Sequence, residues 1–174
     1  GTSVGGITGA VAGNGKGGQG VAPNVKLSGY NFLASQSYFT YVESNGHDTD
    51  NDTTHSTQID IFNGSYGTVI RPNAQYDHET YYYREERYPR LGTENLRNGK
   101  GAIYVKAAGN EFVRVDTSNV CQGANSLGLT CGNPNMDRAN NMPYQIVVGA
   151  LAANGKKASY SSAGSPIWIS ILSK

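Results

Sequence analysis

The sequence is short of most features that would assign it quickly. Its formal net charge is only +1, which gives no electrostatic surface for nucleic acid or a membrane. No apolar run approaches the roughly 18 residues needed to span a bilayer. No signal peptide opens the chain, so any targeting segment is expected to lie upstream or to have been removed. There are two cysteines, Cys121 and Cys131, inside a Gly/Asn-rich loop. They lack the close spacing and histidine partners of a zinc site. The residues alone leave two readings: a disulfide, contributing roughly 2–3 kcal/mol on the chain-entropy model, or two free thiols. What is present is 174 residues, enough for one domain with a core, containing 37% hydrophobic residues, 23 Gly and 12 Tyr. Such a chain is rich in turns and polar loops around a modest core, a balance that suits a soluble, exported protein.

Periodicity predicts the elements. Residues 2–12 are small and apolar at helical spacing, and the glycine-rich turn from Gly13 to Gly20 must end that helix. Val25–Phe32 alternates as a strand does. Ser35–Ser44 reads as a short aromatic helix, and Asn45–Gln58 as a polar surface loop. Strands are predicted at Ile59–Asn63, Gly101–Ala107, Tyr144–Leu151 and Pro166–Ile171. A helix is predicted over Asp77–Asn98, broken or kinked at Pro89, and Phe112–Met142 reads as an inserted loop. Strands alternating with helices predict an α/β protein, its parallel sheet covered on both faces.

Several motifs point to chemistry they do not complete. Gly13-Asn14-Gly15-Lys16-Gly17-Gly18 satisfies G-x-G-x-x-G. However, a helix precedes it and a strand follows, the reverse of a dinucleotide site. His47-Asp48-Thr49-Asp50-Asn51-Asp52 alternates acidic groups but lacks the Gly and Glu of an EF-hand, so a solvated acidic loop fits it better. His47, His55 and His78 all stand in polar stretches that read as exposed. None follows a strand end beside a predicted pocket, so the chain shows no triad of its own. Asn63-Gly64-Ser65-Tyr66-Gly67 and Ala107-Ala108-Gly109-Asn110 each follow a strand end, where parallel folds place ligand sites.

Taken in order, Gly1-Thr2-Ser3-Val4-Gly5-Gly6-Ile7 with Gly20-Val21-Ala22-Pro23, the two strand-end motifs, and Ala158-Ser159-Tyr160-Ser161-Ser162-Ala163-Gly164 resemble the interior of a subtilisin-like serine protease. The resemblance runs from Gly1 to about Ser170. It implies a three-layer α/β fold with a mainly parallel sheet, incomplete here, with residues 1–174 forming part of a catalytic domain. In that family the catalytic His stands just before the opening Gly-Thr, the Asp lies further upstream, and the nucleophilic Ser lies beyond Lys174. The implied activity is therefore endopeptidase action on peptide or protein substrates by the full-length enzyme, with this chain inactive alone.

The resemblance also assigns residues. Asn110 matches the oxyanion-hole amide. Ser65, Tyr66 and Gly67, facing Ala107, Ala108 and Gly109, match the two walls of the primary specificity pocket, the first of which also pairs with substrate backbone. Asn14, with the carbonyls of Val11, Lys16 and Gly18, matches a calcium loop, although a metal-free turn explains the same residues. The family is mostly secreted, which implies a secreted, cell-surface or periplasmic location and favours a Cys121–Cys131 disulfide.

Within the family, Gly99-Lys100-Gly101-Ala102-Ile103-Tyr104-Val105 and the spacing from Asp137 to Tyr144 look similar to the kexin- and furin-like branch. Asp137 there matches a pocket acid for basic substrates. The second acid expected after Ser-x-Gly is replaced by Thr68, Val69 and Ile70. A non-catalytic binding or structural module on the same scaffold is the competing reading.

Overall fold

Strand residues 61–64, 103–107 and 146–151 alternate between a more covered and a more open side, and this positions everything that follows. The computed structural model describes residues 1–47, 55–67, 80–112, 126–127, 132 and 134–173. Among the described residues four strands, β1 (Ile61–Gly64), β2 (Ile103–Ala107), β3 (Ile146–Leu151) and β4 (Ile169–Leu172), form one sheet in the order β1-β2-β3-β4. Every neighbouring pair is parallel. The parallel α/β architecture read from the sequence is the one observed. Phe62 and Tyr104 stack face to face with ring centroids 4.8 Å apart. With Leu96 and Ala102 they form the core on one side of the sheet. The opposite side of β1 and β2 carries Ile61 and Ile103, which are exposed.

Helix α3 (Thr80–Gly99) covers the Phe62–Tyr104 side, and helix α2 (Tyr38–Ser44) packs on α3 through Tyr38 and Tyr41 against the Tyr88 ring. Ser37 caps α2, exchanging hydrogen bonds with Thr40 in a capping box. Helix α3 lies directly on β2. A methyl group at Gly92 would collide with the Tyr104 hydroxyl, so only a glycine allows that approach. The Tyr104 hydroxyl donates to the Asn45 carbonyl at 2.7 Å. The N-terminal helix α1 (Thr2–Gly9) buries none of its residues.

Several sequence expectations are corrected. Val25–Phe32 forms no strand. Alternation describes a side chain's two environments but supplies no hydrogen-bonding neighbour, and this segment lies instead against α1, with Val25 and Leu27 packed over Gly9. Helix α1 stops at Gly9 rather than running to residue 12, because the returning chain caps it. Val21 and Ala22 donate their N–H groups to the Ile7 and Thr8 carbonyls at 2.9 and 2.8 Å, satisfying groups a helix end leaves open. Pro89 does not break α3. The departure from helical geometry comes at Leu96–Asn98 instead. Proline removes the N–H that would bond the Glu85 carbonyl, and the Tyr41 hydroxyl approaches that carbonyl at 3.4 Å in its place.

The predicted surface loop from Asn45 begins buried: Asn45 is 8% exposed, and Gly46 lies against Phe62 and Leu96. His47 is half-buried rather than exposed, its Nε2 bonded to the Tyr88 carbonyl at 2.8 Å. Cys121, Cys131, residues 48–52, Thr68–Ile70 and His78 lie outside the described residues, as does the side chain of His55.

Candidate functional site

Parallel strands bring their C-terminal ends to one edge of a sheet, so the segments leaving β1 and β2 must emerge together. Gly64 is in register with Lys106, which sets Ser65–Gly67 beside Ala107–Asn110. The two predicted pocket walls are therefore adjacent. Asn63 Nδ2 donates to Ser65 Oγ at 2.8 Å across the first turn. Ser65 and Gly67 are exposed, and Tyr66 is half-buried. The Tyr66 ring packs against Phe32 with centroids 5.5 Å apart. Its phenol is pushed up by burial and then by the nearby carboxylates of Glu85 and Asp137.

The second wall is anchored from beneath. Ala108 donates its N–H to the Val148 carbonyl at 3.0 Å. Its carbonyl accepts from the buried Asn140 Nδ2 at 3.4 Å, and the same amide donates to the Pro134 carbonyl at 3.1 Å. Gly109 turns through a φ of +106°, a conformation that favours glycine, and its carbonyl accepts the Ser162 N–H at 3.0 Å. The Asn110 N–H donates to Glu111 Oε2 at 2.9 Å, and the Glu111 N–H donates to Ser162 Oγ at 3.3 Å. Ser161 and Ser162 are fully buried, so the Ala158–Gly164 motif serves as a brace under the Asn110 turn. The Asn110 side chain itself is exposed at the edge.

Asp137 joins the same region. Its Oδ1 accepts the Ala139 N–H at 3.1 Å and so caps the short 3-10 turn Arg138–Asn141. Its Oδ2 is 2.9 Å from Lys106 Nζ, with the two side chains 10% and 8% exposed. Lys106 Nζ also donates to the Ala107 carbonyl at 3.3 Å. The pair lies directly under the first wall. A carbon added at Gly67 would stand 3.6 Å from Asp137 Oδ2 and 3.7 Å from Lys106 Nζ. Glu85 from α3 completes the group. Burial and then the Asp137 charge raise its carboxyl above the usual range, while Arg138 and Lys106 pull it back.

The sequence reading had not singled out Lys106, Glu85 or Glu111. Lys106 did leave a signal, since a lone lysine inside the apolar strand Ile-Tyr-Val-Lys-Ala must find a partner if its face is covered. Glu85 and Glu111 left none, because only the tertiary fold brings them to the site.

The predicted metal loop lies apart from this group. Asn14 Oδ1 accepts the Lys16 N–H at 2.9 Å, and Gly13, Gly15 and Gly17 all take positive φ. The donor set is one amide oxygen and main-chain carbonyls. Among the described residues no three or more acidic, histidine or cysteine side chains gather to hold a metal. Calcium takes six to eight oxygens, so these residues alone do not fit the ion.

A parallel sheet with two loops leaving its C-terminal edge places this chain among the α/β proteins, a class that binds ligands at the strand ends. The profile of the subtilase family, peptidase S8, matches residues 1–172, and the chain belongs to that family. It is 34% identical over 173 residues to the Aeromonas extracellular serine protease of Aeromonas sobria, covering 98% of this chain and 26% of that protein. The crystal structure of the serine protease of Aeromonas sobria superposes with a TM-score of 0.75 and 31% identity, over 98% of this chain and 28% of that one. The structure of the Aeromonas sobria protease with its chaperone superposes with a TM-score of 0.74 and 30% identity, at the same coverage. The chain thus spans about a quarter of the length of these relatives.

Proposed function

We propose that the full-length protein containing this chain is a secreted serine endopeptidase, and that residues 1–174 supply its oxyanion amide and the two walls of its primary specificity pocket. The observation that carries this reading is the parallel register of β1 with β2 up to Gly64 and Lys106, from which Ser65–Gly67 and Ala107–Asn110 leave one sheet edge, in a chain of the subtilase family. On this reading the catalytic Asp, His and Ser come from the rest of the protein. The His takes the proton of the Ser hydroxyl as its oxygen attacks the scissile carbonyl, and returns it to the leaving amine. The Asn110 amide donates to the oxygen that becomes negative in the tetrahedral intermediate. Its turn is held by Glu111 and Ser162, which fixes the backbone that carries the donor. Ser65–Gly67 pairs with the substrate backbone as an added strand, and the small Ala107, Ala108 and Gly109 leave room for the substrate side chain.

Finer points belong to the same proposal. The spacing from Asp137 to Tyr144 supports a place near the kexin- and furin-like branch. A relative named as extracellular supports secretion, and one solved with its chaperone supports a folding partner. A structural calcium held by Val11, Asn14, Lys16 and Gly18 requires carboxylate oxygens from outside this chain. The full-length protein is expected to hydrolyse peptide substrates and to be silenced by a serine-directed inhibitor, whereas purified residues 1–174 are expected to be inactive. A folded full-length protein that binds peptides without cleaving them would instead establish the non-catalytic scaffold.

A further inference from the structure

The ion pair beneath Gly67 occupies the place where the pocket acid would act. Asp137 has two carboxylate oxygens, and both are engaged: Oδ1 by the Ala139 N–H and Oδ2 by the Lys106 ammonium. The ammonium reaches that carboxylate from inside the sheet and takes the Ala107 carbonyl as well. A carboxylate and a wall carbonyl, held by one ammonium beneath Gly67, are the partners a substrate lysine or arginine would need under the first wall. Lys106 therefore stands in for a basic substrate side chain, and it does so permanently because it is part of β2.

We propose that Lys106 is a specificity-determining residue that neutralises Asp137 and sets the pocket to accept uncharged side chains in preference to basic ones. This rests on the pocket assignment above. A second cation entering the cleft would meet an ammonium already bonded to the acid, and like charges at this range in a buried site repel strongly. Displacing Lys106 does not relieve the conflict, since its 8% exposed side chain would leave a buried cation without its partner. An uncharged side chain meets neither difficulty. The Lys106–Asp137 pair then carries no net charge of its own beneath the two walls.

The test compares the full-length protein with its Lys106→Met and Lys106→Met/Asp137→Asn variants, on peptide substrates differing only in the residue before the cleaved bond. Wild type is expected to have a higher kcat/KM on uncharged than on basic residues. Lys106→Met is expected to raise the basic-to-uncharged ratio at least tenfold, and the double variant to lose that gain. The same proteins titrated with benzamidine, a small amidinium probe, give a readout independent of turnover. Binding is expected in Lys106→Met and neither in wild type nor in the double variant. A wild type that already prefers basic residues or binds benzamidine through Asp137 overturns the proposal. So does a folded Lys106→Met protein, verified by circular dichroism, whose ratio and benzamidine binding are both unchanged. Benzamidine binding that follows this pattern in a protein without peptidase activity supports the role of Lys106 while removing the catalytic reading.

Discussion

The two halves of this molecule are held together by different means. At the sheet edge, each wall is fixed by ladder pairing and by buried side chains beneath it: Ser161, Ser162, Asn140 and the Lys106–Asp137 pair. In the N-terminal segment, α1 buries no residue, and Ile7 is 69% exposed. What holds that segment is local: helix hydrogen bonds, and the 20–22 stretch folded back on the helix end. Positioning strong enough for chemistry comes from non-local contacts in a covered face, where a misplaced group loses a partner it cannot replace with water. A locally bonded segment with open apolar surface is shaped but not anchored.

The sharpest way to test the anchored half is Asn110→Ala in the full-length protein. Turnover is expected to fall about 100- to 1,000-fold, the range known for removing such a donor in a member of this family, with KM nearly unchanged. Unchanged turnover in single-turnover kinetics would leave the wall without its chemical role. Of comparable size is a paired measurement of unfolding in denaturant. Phe62→Ala removes a buried ring stacked on Tyr104 and is expected to cost about 3–5 kcal/mol. Ile7→Ala, at an exposed site, is expected to stay within about 0.5 kcal/mol in this chain. A large Ile7 effect appearing only in the full-length protein would show that a further part of it covers α1.

Ser162→Ala takes away the acceptor of the Glu111 N–H and is expected to cost about 1–3 kcal/mol, because the partner is left unsatisfied. A thermal melt unchanged from wild type would mean that Ser162 does not brace the Asn110 turn. The smallest effect concerns Glu85, whose folded-state carboxyl is raised above its ordinary value by burial and by Asp137. The folded chain holds that proton more tightly than the unfolded chain, so stability declines as pH rises from the ordinary glutamate range through the raised value. Glu85→Gln removes the charge and is expected to raise the melting temperature at pH 7, with the gain vanishing toward pH 4. A gain of equal size at both values would assign the effect to packing instead.

These contrasts also mark what could be read in the sequence. The strands β1 to β3 were legible because apolar, β-branched runs declare themselves, and the strand-end motifs then fell together once pairing was parallel. Val25–Phe32 misled because alternation is necessary for a strand but a bonded neighbour is what makes one. Pro89 misled because the residue that takes over at the Glu85 carbonyl, Tyr41, is remote in sequence and adjacent only in the fold. The family resemblance singles out Asp137, but its engagement by Lys106 is not legible there, since a spacing does not reveal which charge faces it.

The sheet order repeats the chain order, β1-β2-β3-β4. Each strand therefore docks on the edge left by the one before it, and the sheet can grow in one direction as the polypeptide emerges from a ribosome or a translocation pore. Every growth step exposes a fresh row of N–H and C=O groups until the next strand arrives. At β4 that row is flanked by Ile169, Ile171 and Leu172, all exposed. The half-assembled sheet is thus a template that any extended apolar segment can join, including one from another copy. Such an edge makes self-association during folding a standing hazard, and it gives a folding assistant something concrete to shield.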